Sequence, residues 1–232
     1  MRFGRNRSLV SGAWGGRPLP LLAMLLGVVA PAGALRHTVQ VPSSQSTEHR
    51  SRSELEAGLE TIRRSPVNVG TLQMIVARPA VDARDALEEG RLDLERGLVG
   101  DTWRVRGDSS TPDGSAHPDA QLTVMNARAA ALVAGTADHG GLAGDQLYLD
   151  FDLSTARLPA GSRLQIGEAV IEITAKPHRG CAKFAVRFGN EALRFVNTGE
   201  GLALGLRGRN AKVVVPGVIS RGDTVRLVNG AG

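Results

Sequence analysis

Residues 162–189 read SRLQIGEAVIEITAKPHRGCAKFAVRFG. The first half of this stretch decides the fold. Two short apolar runs flank Gly167–Glu168, which predicts a β-hairpin with its turn at those two residues. The second half holds the only cysteine of the chain, Cys181, with His178, Lys176, Arg179, Lys183 and Arg187 close by in sequence. Pro177 and Gly180 punctuate the loop between the hairpin and the cysteine.

Outward from the hairpin, the pattern is one of short strands. VGTLQMIVARP (69–79) is a strand stopped by Pro79. GRLDLERGLVGDTWRV (90–105) alternates and then turns at Gly100–Asp101. QLTVMNARAAALVAG (121–135) starts as a strand and continues as a short Ala-rich helix from about Ala127. Leu147, Leu149, Phe151 and Leu153 alternate along one face of a half-buried strand. NAKVVVPGVISRGDTVRLV (210–228) is a final strand pair with turns at Pro216–Gly217 and Gly222–Asp223. Residues 108–120 form a loop by composition. Many short strands, little helix and abundant Gly predict a mainly β protein with a closed or nearly closed barrel over about residues 67–228. Before it, SRSELEAGLETIRRSP (51–66) predicts a helix over 53–64. Ser51 or Ser53 caps it, Leu55, Leu59 and Ile62 share one face, and Pro66 ends it.

The chain has 232 residues and suits one domain, residues 51–232, behind an N-terminal extension, residues 1–50. The extension starts with arginines, runs apolar from Leu19 to Ala30 and ends in small residues near Ala34, the pattern of a secretory signal. A start site placed too far upstream would leave the same pattern. Residues 38–52 are polar and Ser/Thr-rich, a flexible linker by composition. The reading favours a cytoplasmic protein, with export through segment 1–34 as the alternative. No membrane span is expected in the mature domain.

Charge is unevenly placed. The net charge is +5, and residues 1–37 carry five arginines and no acid, so the remainder is neutral by formal count. Within that remainder, acids dominate from Asp82 to Glu172 and bases dominate from Lys176 to Arg226. The positive field therefore surrounds Cys181 and favours a small anion over a long polyanion. A neutral domain with few, scattered aromatics argues against nucleic-acid binding. One cysteine excludes an internal disulfide and a multi-cysteine zinc or iron–sulfur site within this chain.

Cysteine acts as a nucleophile or soft metal ligand in its thiolate form, which neighbouring cations favour. Cys181 in its basic loop is the candidate for both roles, catalytic and metal-ligating. The alternative is a small apolar filler in a strand. His178 can orient Cys181, bind a ligand or merely occupy a turn. Lys183, Arg207, Arg209 and Asn210 could bind an oxyanion, or they could be solvated loop residues. Asp101 and Asp145, in GLVGD and GLAGD, could meet a ligand, hold an arginine or bind their own turn.

Taken together, GLVGD, PHRGCAKF, the Arg/Asn-rich segment and VVVPGVISRGDTVRL resemble the MOSC family, named for the C-terminal part of molybdenum-cofactor sulfurase. The resemblance spans about Val67 to Val228 and points to short standalone bacterial members. It implies a MOSC-type β-barrel with a few short helices. It implies that Cys181 carries sulfur as a persulfide or ligates molybdenum of a bound molybdenum cofactor (molybdopterin). Arg179, Arg187, Arg207 and Arg209 would hold the pterin phosphate, and Asp101 matches the GLVGD aspartate of the family. A cysteine desulfurase or an electron-donor protein is the partner implied. A pyridoxal-phosphate domain and an iron–sulfur cluster are not expected in this chain. The competing expectation is a non-catalytic anion- or protein-binding barrel in which Cys181 is structural.

Overall fold

The hairpin forms as its sequence predicts, with Ile166 opposite Ala169 across the Gly167–Glu168 turn. The computed structural model describes residues 36–38, 49–136 and 139–228, with the backbone alone for 36–38. The signal-like segment 1–34 and most of the linker lie outside these residues. In chain order the elements are β1 (Arg36–Thr38), α1 (Arg52–Ala57), α2 (Leu59–Arg63), β2 (Val69–Ala77), β3 (Asp85–Leu87), β4 (Glu89–Asp93) and β5 (Gly97–Leu98). There follow α3 (Trp103–Arg106), β6 (Leu122–Asn126), α4 (Ala127–Ala134), β7 (Leu147–Asp150), β8 (Arg163–Ile166) and β9 (Ala169–Ile173). The chain closes with α5 (Ala182–Asn197), α6 (Gly199–Ala203), β10 (Arg209–Val215), β11 (Gly217–Ser220) and β12 (Thr224–Val228).

Seven strands close a barrel in the order β2–β12–β8–β9–β10–β6–β7, and β7 pairs back onto β2. Closure removes the free edges that a sheet would otherwise expose. Strand β3 extends the wall from β2, and β1 pairs with β3. A small sheet, β11–β4–β5, adds to this frame. The expected final strand pair is in fact three strands. Pro216 separates β10 from β11 because proline has no N–H to give a ladder.

Two apolar clusters share the barrel wall. One includes Leu72, Ile75, Val124, Leu147, Leu149, Phe151, Ile171 and Val225. The other joins Val76, Met125 and Tyr148 to Leu55, Leu59, Ile62, Phe184, Phe188 and Phe195 of the helices. Adjacent residues of β2, β6 and β7 thus point into different clusters. This corrects the half-buried strand expected at Leu147–Leu153: Tyr148 is as enclosed as its neighbours. The physical reason is the parallel β6–α4–β7 unit, which lays a helix over strands already packed on their other face.

The N-terminal helix forms as two short pieces that meet at Gly58. Ser51 and Glu54 make a reciprocal capping box, and Leu132 packs against Gly58 where a Cβ would collide with it. Helix α5 is the largest departure from the strand-rich expectation. Phe184, Phe188, Ala192, Phe195 and Val196 recur at helical spacing and bury one face. Gly189, at φ +88°, kinks the helix.

Asn126 links the parts. Its Oδ1 accepts from the N–H groups of Arg128 (2.8 Å) and Ala129 (3.1 Å), capping α4. Its Nδ2 donates to Ser65 Oγ and to the Phe151 carbonyl, both at 2.8 Å. Asn126→Ala should therefore lower stability by about 2–4 kcal/mol, measured by urea unfolding, because a cap and buried polar partners are lost together. A loss below about 0.5 kcal/mol would contradict this role.

Candidate functional site

The loop from Thr174 to Cys181 leaves β9 and delivers the cysteine to the head of α5. Two asparagines fasten it. Asn210, buried on β10, donates to the carbonyls of Lys176 (3.1 Å) and Pro177 (3.2 Å). Asn197, at the end of α5, accepts from Gly180 N–H (2.8 Å) and donates to Gly180 O (3.0 Å). Gly180 packs against Leu193 so closely that a Cβ would lie 2.7 Å from it. The glycine thus admits the side of α5. Cys181 is the N-cap residue: its carbonyl accepts from Phe184 and Ala185, while its exposed side chain makes no cap bond. The thiol is not the strand filler of the alternative reading.

Beneath the loop, the two Gly-Asp turns act as arginine clamps. The Asp101 side chain is fully buried and receives Arg78 through Nε (2.7 Å) and Nη2 (2.9 Å), and also the N–H groups of Arg78 and Trp103. Asp145 is fully buried and receives Arg207 Nη1 at 2.6 Å. The pairs are tied together, since Arg78 Nη1 donates to Gly144 O (3.0 Å) and Arg207 Nη2 to Ala143 O (3.1 Å). Arg207 also lies over the Phe184 ring of α5 at 5.1 Å. Sequence reasoning left Arg78 out because a lone arginine before Pro79 gives no periodic signal.

His178 sits over this network with its side chain 15% exposed, its Nδ1 3.5 Å from Asp145 Oδ1. Neither atom has a hydrogen-bond partner among the described residues. Burial pushes the His178 pKa down to about 3. Arg207 and Arg78 push the same way, and Asp145 opposes them. The imidazole is therefore neutral near pH 7, and Arg207, not His178, is the cation that answers Asp145.

The predicted basic residues divide between two hollows. The first, about 240 Å³, is lined by Lys176, His178, Arg179, Arg207 and Arg209, together with Thr174. Arg209 donates to the carbonyls of Leu158 (2.8 Å) and Leu153 (3.4 Å), and Arg179 only distantly to Asn197 O (3.5 Å). Among the described residues neither guanidinium has a carboxylate partner. The second hollow, about 410 Å³, is lined by Asp82, Arg84, Leu142, Lys183, Val186 and Arg187. Cys181 is not among the lining residues of either hollow; in sequence it falls between Arg179 of the first and Ala182 of the second. Lys183 and Arg187, expected around the sulfur, both bind Asp82, at 3.2 and 2.9 Å. Asn210 spends its amide on the cysteine loop, and Asp101 is enclosed with Arg78. No cluster of metal-binding side chains occurs among the described residues.

A closed barrel with a cysteine delivered beside arginine-lined hollows defines a class, and the comparisons give its family. Residues 112–226 match the family model for the MOSC domain, and the chain carries a MOSC domain. The match starts after Arg78, Asp82 and Asp101. Among solved structures, the chain is similar to the YuaD protein of Bacillus subtilis, at 14% identity over 68% of this chain and 95% of that one, TM-score 0.48. It is also similar to YiiM from Escherichia coli, at 20% identity over 70% and 71%, TM-score 0.45. YiiM from Geobacillus stearothermophilus matches at 15% identity over 70% and 74%, TM-score 0.41. No curated protein matches the chain.

His178 gives a pH signature. In the unfolded chain it protonates below about 6.5, whereas in the fold it stays neutral down to about 3. The unfolded state thus binds the extra proton in this window, so stability falls as pH drops from 6.5 toward 3. Stability measured between pH 7 and 4.5 should fall by up to about 1.4 kcal/mol per pH unit, and His178→Gln should flatten that slope. An unchanged slope in the variant would refute a neutral buried His178.

Proposed function

We propose that this MOSC protein binds the molybdenum cofactor, with Cys181 either as a soft ligand to molybdenum or as a carrier of sulfane sulfur. The observation that carries the reading is an exposed thiol held by a clamped loop beside a hollow in which Arg179 and Arg209 lack carboxylate partners. The residues fit such a group. Guanidiniums bind phosphate by charge-assisted hydrogen bonds, and a thiolate suits a soft metal. The first hollow, at about 240 Å³, is smaller than most small-molecule pockets, so it suits the phosphate end of the cofactor rather than its whole body.

In this reading Arg179 and Arg209 hold the phosphate, while Lys176 is committed to Asp108 (3.4 Å) and Ser110 Oγ (2.7 Å). Arg207 is committed to Asp145 and shapes the floor, and neutral His178 stands beside it without adding charge. Asn210 and Asn197 hold the loop so that Sγ faces outward. When bound, the cofactor would supply molybdenum redox and oxygen- or sulfur-atom chemistry. As a sulfur carrier, the Cys181 thiolate would attack the terminal sulfur of a donor persulfide. A new S–S bond forms and the donor leaves as its thiolate. A cysteine desulfurase is a donor of that chemistry, and a redox reaction would require an electron-donor protein.

The test is metal analysis with intact mass on protein purified from cells that make the cofactor. The expected result is molybdenum with a pterin, or a mass gain of one sulfur atom, lost in Cys181→Ser. Arg209→Gln should reduce pterin retention about tenfold or more while the sulfur adduct persists. Wild-type protein with neither species, and an ordinary slow-reacting thiol, would instead support a binding barrel in which Cys181 has no chemistry.

A further inference from the structure

The second hollow holds an imbalance that the cofactor reading does not use. Arg84, Lys183 and Arg187 bring three positive charges to it, and among the described residues Asp82 is the only carboxylate lining it. Arg187 Nη2 donates to Asp82 Oδ1 at 2.9 Å, and Lys183 Nζ lies 3.2 Å from the same atom. Arg187 Nη1 is fixed by the Leu142 carbonyl (2.9 Å). Arg84 bonds only the carbonyl of its neighbour Ala83, and its buried Nε has no partner among the described residues. Its pKa is lowered, first by burial and then by repulsion from Arg187 and Arg78, with Asp82 opposing them.

Asp82 reaches this position at a cost. It has φ +59°, the one positive φ of a non-glycine residue among the described residues. That conformation is disfavoured for an L residue. It sits at the tip of the exposed loop between β2 and β3, its side chain 58% exposed. Water and salt therefore compete for its ion pairs, which hold the loop only weakly.

We propose that the second hollow is a binding site for a small phosphate-bearing molecule, and that Asp82 is an internal anion which that phosphate displaces. With Asp82 in place the three cations leave two positive charges unanswered, and with Asp82 displaced all three face the phosphate dianion. Two guanidiniums and an ammonium match its oxygens. Leu142, Ala182 and Val186 offer an apolar wall for the rest of the molecule. On binding, the β2–β3 loop would swing out and relieve the left-handed backbone at Asp82. No covalent step is involved. The site begins one residue after Cys181, so its occupancy would alter access to the thiol.

The test is a titration of the full-length chain with inorganic phosphate at constant ionic strength, followed by NMR shifts of the Lys183 and Arg187 amides. It is run on wild type and on Cys181→Ser, so its outcome does not depend on cofactor binding. Asp82→Asn should bind phosphate at least about fivefold more tightly than wild type. Asp82→Gly, which also frees the backbone, should do the same, so a loop effect peculiar to one substitution is distinguishable. Arg187→Gln should abolish binding in each background. Equal affinity in wild type and both Asp82 variants would overturn the proposal, as would binding that survives Arg187→Gln.

Discussion

Two buried arginine–aspartate pairs, Arg78 with Asp101 and Arg207 with Asp145, are the constraint on which the site depends. Each aspartate is fully enclosed, so its charge must be answered nearby, and each arginine answers it with short hydrogen bonds. Removing one partner from such a pair strands a charge in the interior and typically costs about 3–5 kcal/mol. The pairs also meet: Arg78 and Arg207 donate to the adjacent carbonyls of Gly144 and Ala143. This links β2, the Gly100 turn, the loop before β7 and the approach to β10. Gly208, next to Arg207, lets β10 start against Val124 O at φ +96°, where a side chain would collide with that oxygen. The cysteine loop is laid over this frame and held by Asn210 and Asn197.

The barrel was legible because its strands announce themselves locally. The Gly167–Glu168 turn, Pro79, Pro216 and the Gly222–Asp223 turn fall where strands end. Ser51, Leu55, Leu59 and Ile62 marked the N-terminal helix, although Gly58 divides it. Helix α5 was harder to see. Attention to Cys181 and its cations hid the spacing of Phe184, Phe188, Ala192 and Phe195, which is helical on inspection. The doubly buried strands were hidden for another reason. Alternation reports one apolar face, and Tyr148 became a core residue only when α4 and α5 covered its side of the wall.

The candidate site was legible in its chemistry and not in its connections. Cys181 is exposed at a helix head, and Arg179 and Arg209 line a hollow, without carboxylate partners among the described residues. Lys183 and Arg187 lie as close in sequence but bind Asp82, about a hundred residues earlier in the chain. Asp145 likewise takes Arg207, and Asn210 spends its amide on backbone carbonyls. Sequence proximity supplies a field around a cysteine. Which cations remain free for a ligand is decided by long-range partners that no local window contains.

The most direct measurement is a crystal structure of the protein isolated from cells that make the molybdenum cofactor, with anomalous data collected at the molybdenum edge. The proposed role predicts density continuous from the Cys181 sulfur to a metal or a second sulfur, with a phosphate against Arg179 and Arg209. A bare sulfur, with those arginines facing solvent and no density in the first hollow, would contradict it.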